Sequence, residues 1–216
     1  QAIGAVDIDV KRDNIDLLSL SAHKFYGPKG IGALYIRNGV KCDRYISGGS
    51  QERGMRAGTT NVPLIVGMAA AFEKAILNRE ENNKKLIQLR DELIRRIEAE
   101  IPNSYLNGHR HSRLPNNVNF CFEFIEGESL LLMLDMQGIA VSSGSACTSG
   151  SLEPSHVLSA MGVPPEIAQS ATRFTFGKDN TMEDIDYVVE CLKKNLTTLR
   201  AMSPLFKQEK GEAKHV

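Results

Sequence analysis

The sequence lacks an excess of charge of either sign, and it lacks any long apolar segment. Its 216 residues include 26 Lys and Arg and 26 Asp and Glu, so the formal net charge is zero. Without a basic excess or a run of lysine and arginine, the composition does not indicate nucleic acid or a membrane surface as a partner. No apolar run approaches the roughly 20 residues that span a bilayer. We therefore expect an ordinary globular protein that binds neither nucleic acid nor membranes.

Cysteine is scarce, and its spacing argues against two kinds of site. The four cysteines are Cys42, Cys121, Cys147 and Cys191, which lie far apart and form no CxxC or Cys/His cluster. This spacing argues against a disulfide scaffold and a structural zinc site, and it suits a reducing compartment such as the cytoplasm. For all of them except Cys147, we expect free, buried side chains.

The periodicity of the apolar residues predicts alternating strands and helices, which indicates an α/β or α+β protein. The predicted strands are residues 17–21, 32–37, 118–124, 139–143 and 172–176. The predicted helices are residues 63–75, 82–101, 127–138 and 153–162, with a last helix that begins at Thr181. We expect the first strand to be buried and Thr181 to be an N-cap.

We place a domain boundary near residue 80, where small apolar residues give way to an amphipathic helix. In that helix, apolar residues recur at helical spacing, namely Leu86, Leu89, Leu93 and Ile97. Residues 1–80 contain too few strands for a covered sheet and are predicted to be the end of a larger domain. Residues 81–206 are predicted to form a smaller C-terminal domain, and residues 207–216 a polar, disordered tail.

The segment SAHKFYGPKG, residues 21–30, places Lys24 at the end of a predicted buried strand. A lysine that is partly removed from water is freed as a nucleophile for a carbonyl cofactor. The neighbouring hydroxyl of Ser21 and imidazole of His23 suit an anionic phosphate, and the glycines that follow let the backbone approach a ligand. The alternative interpretation of Lys24 is an ordinary surface lysine.

The segment SSGSACTSGSLEPSH, residues 142–156, contains Cys147 among small and polar residues. Between Ser142 and Ser151 almost no bulky apolar residue is present, so the composition predicts an exposed loop in which packing does not require a cysteine. This pattern favours a nucleophilic thiol on a mobile loop. The alternative is an incidental loop cysteine.

The alternating segment TRFTF places Arg173 on the strand face opposite Phe174 and Phe176. Two roles for Arg173 stay open at this point. It is either a solvent-facing partner for a carboxylate of the protein or a bidentate clamp for a substrate carboxylate, a geometry that lysine does not match.

Four segments together resemble the NifS/IscS-type cysteine desulfurases, a class-V aminotransferase-like branch of the fold-type-I pyridoxal-phosphate enzymes. They are SAHKFYGPKGIGALYIR, ERGMRAGT, SSGSACTSGSLEPSHVL and ATRFTFG, and the resemblance runs in the same order from Gln1 to about Leu205. It implies an α/β fold that combines the end of a large, mostly parallel sheet domain with a smaller α+β domain. It also implies a homodimer for the full-length enzyme.

The resemblance implies the reaction as well. Lys24 would carry pyridoxal phosphate and then act as the general base, and Arg173 would hold the carboxylate of L-cysteine. Cys147 would take the sulfur as a persulfide, and alanine would be released. The sulfur would pass to an iron–sulfur scaffold protein or another acceptor, with a transient iron–sulfur contact through the persulfide on Cys147.

The resemblance further implies a set of cofactor contacts. Ser21 and His23 would contact the phosphate, and Gln1 would bond to the phenolic oxygen of the ring. Thr59 would reach the phosphate of the cofactor in the neighbouring subunit.

The upstream cofactor contacts of the family cannot be placed, because the sequence begins at Gln1. We therefore expect the C-terminal part of a desulfurase that alone neither retains cofactor well nor turns over cysteine. Two alternatives are a selenocysteine lyase-like enzyme and a truncated, non-catalytic module that docks a scaffold or a full-length partner. The destination of the sulfur stays open between iron–sulfur assembly, nitrogenase maturation and tRNA thiolation.

Overall fold

The computed structural model describes residues 1–143 and 154–206. The chain divides into an N-terminal unit, Gln1–Asn82, and a C-terminal unit, Asn83–Val216. Strands and helices occur in both units, so the chain is an α/β protein, as predicted. The boundary predicted near residue 80 falls close to the division between the two units.

The N-terminal unit contains a two-stranded antiparallel sheet and a helix. Strand β1, Leu17–Ser21, pairs with strand β2, Gly32–Ile36, so that Ser21 lies opposite Gly32. A 3-10 turn, Ala22–Phe25, follows β1 directly, and a second one spans Glu52–Gly54. Helix α1, Val62–Leu77, begins at Asn61, whose side chain accepts a hydrogen bond from the backbone of Leu64. Both predicted strands and the predicted helix are confirmed.

The prediction that the first strand is buried is wrong within the N-terminal unit. No residue of β1 is fully buried, and Leu17 is 48% exposed. The physical reason is that β1 has only β2 as a neighbour among the described residues. A two-stranded sheet gives each strand a single neighbour, so much of its surface stays exposed.

The C-terminal unit is built around a four-stranded antiparallel sheet in the order β3-β4-β6-β5. Its strands are β3, Ser104–Leu106; β4, Asn117–Phe122; β5, Ser142–Ser143; and β6, Ala171–Thr175. Its helices are α2, Arg79–Glu100, which begins in the last residues of the N-terminal unit; α3, Gly127–Asp135; α4, His156–Ala160; α5, Pro165–Ala168; and α6, Met182–Met202. β3 and α5 were not predicted from the sequence, and β5 is shorter than the predicted strand at 139–143.

A single large core lies between this sheet and the long helices. The apolar stripe of α2 is confirmed, since Leu89, Leu93 and Ile97 are all buried. The core continues with Val118, Phe120 and Phe122 of β4 and Ile185, Leu192 and Leu196 of α6. Burying each such side chain stabilises the fold by about 1.5–3 kcal/mol.

The predicted alternation along β4 is confirmed with one correction. Val118, Phe120 and Phe122 share one face, as expected, and all three are 0% exposed. Phe124 does not continue this face, because the strand ends at Phe122 and Phe124 has a positive φ of 66°. Cys121 points the other way, into a smaller core against α4 and α5.

Local sequence signals explain several helix ends. Thr181 is the N-cap of α6, as predicted, and its backbone N–H donates to the carboxylate of Asp184 in a capping box. Gly138 follows α3 and Gly162 follows α4, and both have a positive φ that favours glycine, 77° and 82° respectively.

The free cysteines are placed largely as predicted. Cys121 and Cys191 are buried, whereas Cys42 is half-buried. Burial raises the pKa of the Cys121 thiol, whose Sγ accepts a hydrogen bond from the Asn107 amide at 3.1 Å. Cys147, with its expected iron–sulfur contact, and the polar tail at 207–216 lie outside the described residues.

Two absences hold for residues 1–143 and 154–206. No helix there is both long and apolar enough to cross a membrane. No group of His, Cys, Asp and Glu side chains in that part of the chain could hold a metal ion.

Candidate active site

Lys24 and His23 lie on the 3-10 turn that follows β1. Side chains three residues apart lie above one another in a 3-10 helix, and here Ala22 and Phe25 form the buried pair, at 0% and 3% exposed. Phe25 contacts Phe72 of α1 edge to face, with 5.9 Å between the ring centroids. His23 and Lys24 are consequently turned outward, so the turn presents an imidazole and an amine on an anchored backbone.

The chain leaves this turn through a tight, closely packed corner. Tyr26 has a φ of 65°, and the backbone N–H of Gly27 donates to the carbonyl of Ala22 at 2.9 Å. A Cβ at Gly27 would lie 2.9 Å from Ala22, and one at Gly67 of α1 would lie 3.2 Å from the ring of Pro28. Glycine at both positions therefore lets the corner pack against α1.

A shallow cleft of about 530 Å³ opens beside the turn. It is lined by Ser21, His23 and Lys29, together with the backbone segment 30–32. The pairing of Ser21 with Gly32 joins the two sides of the cleft. A Cβ at Gly32 would lie only 2.6 Å from the Leu20 carbonyl oxygen, so glycine is required there. Lys24 is on the same turn but is not among the lining residues.

The groups that line the cleft fit a phosphate ester. A hydroxyl, an imidazole and an ammonium can all donate hydrogen bonds to phosphate oxygens. In the described part of the chain, His23, Lys24 and Lys29 form no ion pair with a carboxylate. These donors are therefore available to an anion.

The remaining predicted residues of the N-terminal unit occupy different positions. Gln1 is exposed and does not line the cleft. Thr59 is exposed and does not line the cleft. The expectation that a buried strand removes Lys24 from water is wrong for this unit, because β1 is uncovered and Lys24 is exposed.

Arg173 lies in the middle of the second sheet. It is on β6, paired with Asn119 of β4 on one side and Ser142 of β5 on the other. Phe174 is 4% exposed and belongs to the main core, so the alternation of the strand turns Arg173 to the opposite face, as predicted.

The guanidinium of Arg173 has no carboxylate partner among the described residues. Its Nε is buried and has no hydrogen-bond partner there. This disfavours the interpretation of Arg173 as the partner of a protein carboxylate and leaves its N–H fork available to an anion. Cys147 follows β5 in the sequence, so Arg173 is paired with the strand that leads into the cysteine segment.

One lining residue, Lys29, was not predicted from the sequence. It stands within the segment SAHKFYGPKG, in which only the glycines around it had a predicted role. The available signal was the pair of short strands on either side of the Gly-Pro-Lys-Gly segment. An antiparallel pairing of these strands brings Lys29 back toward Ser21.

The chain is similar to several known proteins. The chain is 61% identical over 208 residues to cysteine desulfurase IscS of Clostridium botulinum strain Hall, covering 95% of this chain and 52% of that protein. A solved NifS-like protein matches with a TM-score of 0.82 and 39% identity, over 92% of this chain and 51% of that one. The NifS-like protein of Rickettsia africae matches with a TM-score of 0.82 and 31% identity, over 90% and 51% of the two chains. The chain thus spans about half the length of the curated relatives it matches.

The sequence profile of the aminotransferase class-V family matches residues 1–188. That range includes the turn with Lys24 and its cleft as well as the strand with Arg173. Both units therefore contribute to the match, which extends over most of the sequence. The chain belongs to the aminotransferase class-V family.

Proposed function

We propose that the protein carrying this chain is a cysteine desulfurase, which converts L-cysteine to L-alanine and keeps the sulfur as a persulfide on Cys147. One observation carries the proposal: an anchored turn carries Lys24 directly after His23, which lines a cleft that fits a phosphate group. The 61% identity to a cysteine desulfurase over 95% of the chain supports the same activity.

The residues of the N-terminal unit fit pyridoxal phosphate. Ser21 and His23 supply a hydroxyl and an imidazole for the phosphate, and the backbone segment 30–32 lines the same cleft. Lys24 would bind the aldehyde carbon of the cofactor, and Gln1 its phenolic oxygen. When bound, pyridoxal phosphate supplies an electron sink for the pair of electrons left on the substrate α-carbon.

Lys24 would act as the general base of the reaction. Its amine has no ion pair with a carboxylate in the described part of the chain. A neutral amine in this position would remove the α-proton of L-cysteine. The anchored backbone of the turn would limit how far the amine has to be reoriented.

Arg173 would orient the substrate. Two parallel N–H groups of its guanidinium match the two oxygens of a carboxylate, and no carboxylate of the described chain occupies them. Cys147, as a thiolate, would attack the sulfur of the bound cysteine, so that an S–S bond forms as the Cβ–S bond of the substrate breaks. The sulfur would stay on Cys147 as a persulfide, and Cβ would take up a proton as alanine forms. The role of Cys147 rests on its sequence context and on the relatives.

The wider setting of the enzyme is also proposed from the family. We propose that residues 1–80 belong to the large cofactor-binding domain and residues 81–206 to the small domain that carries the cysteine segment. The enzyme would be a cytoplasmic homodimer in which Thr59 contacts the cofactor of the partner subunit. It would pass sulfur to an iron–sulfur scaffold protein or another acceptor, and residues 1–216 alone would turn over little cysteine.

The test measures alanine release from L-cysteine by the intact protein that carries this sequence. Lys24→Ala should abolish both alanine release and the visible absorbance of the bound cofactor. Cys147→Ser should keep that absorbance and lose sulfur transfer. Normal alanine release from L-cysteine by Cys147→Ser would refute sulfur capture by this thiol. If that variant instead kept only its activity on selenocysteine, it would favour the selenocysteine lyase-like alternative.

A further inference from the structure

The structure assigns a further anion-binding residue to the cleft. We propose that the ammonium of Lys29 attracts the phosphate group of the cofactor, in addition to the hydrogen bonds from Ser21 and His23. This inference rests on the proposed function, because it concerns the same cofactor. It names a residue to which neither the sequence analysis nor the resemblance assigned a role.

The position of Lys29 is the first support. Lys29 lines the cleft together with Ser21 and His23, although it is several residues further along the chain. The pairing of β1 with β2 and the corner at Gly27 fold the chain back on itself here. Gly30, with a φ of 89°, directs the backbone from Lys29 into β2. The cleft is therefore lined by a cationic residue from the segment that leads into β2.

The lack of a competing carboxylate is the second support. Several arginines of the N-terminal unit are held by aspartates: Arg12 by Asp7 and Asp13, Arg37 by Asp16, and Arg79 by Asp7. Lys29 has no such ion pair among the described residues, and it is exposed. Its charge is therefore not neutralised locally and is directed to whatever anion enters the cleft.

The chemistry of the ligand is the third support. A phosphate monoester carries a charge of roughly −1.5 to −2 at neutral pH and has three acceptor oxygens. A hydroxyl and an imidazole satisfy hydrogen bonds but leave most of this charge uncompensated. Lysine is a common phosphate-binding residue that acts as a point charge. An ammonium lining the same cleft supplies the missing compensation.

The experiment titrates the apo form of the intact protein with pyridoxal phosphate and follows the visible absorbance. Lys29→Met should raise the Kd about fivefold, which corresponds to about 1 kcal/mol. The Kd of Lys29→Arg should stay close to that of the unmodified protein, because arginine keeps the positive charge. Added salt should reduce the difference in Kd between Lys29→Met and the unmodified protein, because salt screens the attraction between the ammonium and the phosphate.

Two controls isolate the phosphate contact. Pyridoxal, which lacks the phosphate, should bind to Lys29→Met and to the unmodified protein with equal affinity. Lys41→Met removes another exposed lysine of the same unit that does not line the cleft, and it should leave the Kd unchanged.

Three results would overturn the inference. An unchanged Kd for pyridoxal phosphate in Lys29→Met would refute it, as would an equal loss of affinity for pyridoxal. If the unmodified apoprotein bound neither compound, the proposed function itself would fail and this inference with it. Failure of the proposed function can be distinguished from failure of the inference about Lys29, because it would be seen with the unmodified protein before any variant is compared.

Discussion

Replacing Arg173 by methionine should change the stability and the substrate affinity of the protein in opposite directions. The side chain is half-buried on β6, and its Nε is buried without a hydrogen-bond partner among the described residues. A buried, unsatisfied donor costs about 1–3 kcal/mol. Methionine has a similar apolar stem and no donor. The free energy of unfolding should therefore stay equal or rise by up to about 1 kcal/mol.

The same substitution should weaken the binding of L-cysteine. A hydrogen bond between charged groups contributes about 1.5–3 kcal/mol. Loss of the guanidinium clamp should therefore raise KM by about 10- to 150-fold. The KM of Arg173→Lys should lie between those of the unmodified protein and Arg173→Met, because lysine keeps the charge and loses the bidentate geometry. The assays are urea unfolding and steady-state alanine release by the intact protein.

Arg113→Met is a matched control for this experiment. Arg113 is also half-buried, but it donates hydrogen bonds to the backbone carbonyls of Asn107, His109 and Asn117. Its loss should therefore lower the stability and leave KM unchanged. If Arg173→Met behaved like Arg113→Met, with lower stability and normal KM, Arg173 would be a structural residue and the assigned substrate contact would be wrong.

Two further predictions concern the C-terminal unit. Phe120→Ala removes a ring that is 0% exposed, so the free energy of unfolding in urea should fall by about 3–5 kcal/mol; a loss below about 1 kcal/mol would contradict the packing of this core. The hydrogen bonds from Arg96 and Lys193 lower the pKa of Glu100 to about 2. Its stabilising contribution should be complete above the unfolded pKa of about 4.3 and should disappear as the pH falls toward 2. Glu100→Gln should flatten this part of the acid unfolding curve, and an unchanged curve would show that the carboxylate contributes nothing.

The elements that could be predicted from the sequence are those set by local pattern. The stripe through Leu89, Leu93 and Ile97 identified α2 because helical spacing alone places these residues on one face. Thr181 identified the start of α6 because a capping residue and its acidic partner are close in sequence. Both patterns are local in sequence and do not depend on distant segments of the chain.

The features that could not be predicted depend on neighbours that are distant in sequence. The apolar composition of β1 suggested a buried strand, but burial requires further strands or helices that cover it, and Leu17 is exposed in this unit. Strand β3 is only three residues long, which is too short for a periodic pattern, and it is defined by its pairing with β4. Lys29 had no distinguishing local pattern, because its place in the cleft results from the pairing of Ser21 with Gly32.

The most direct test of the account is the fate of the sulfur in one turnover. The intact protein, loaded with pyridoxal phosphate, is mixed with less than one equivalent of L-cysteine, quenched and analysed by peptide mass spectrometry. The account predicts that the Cys147 peptide gains one sulfur atom in proportion to the alanine formed. Alanine formed with no added sulfur on this peptide, or with the sulfur on Cys42, Cys121 or Cys191, would contradict it.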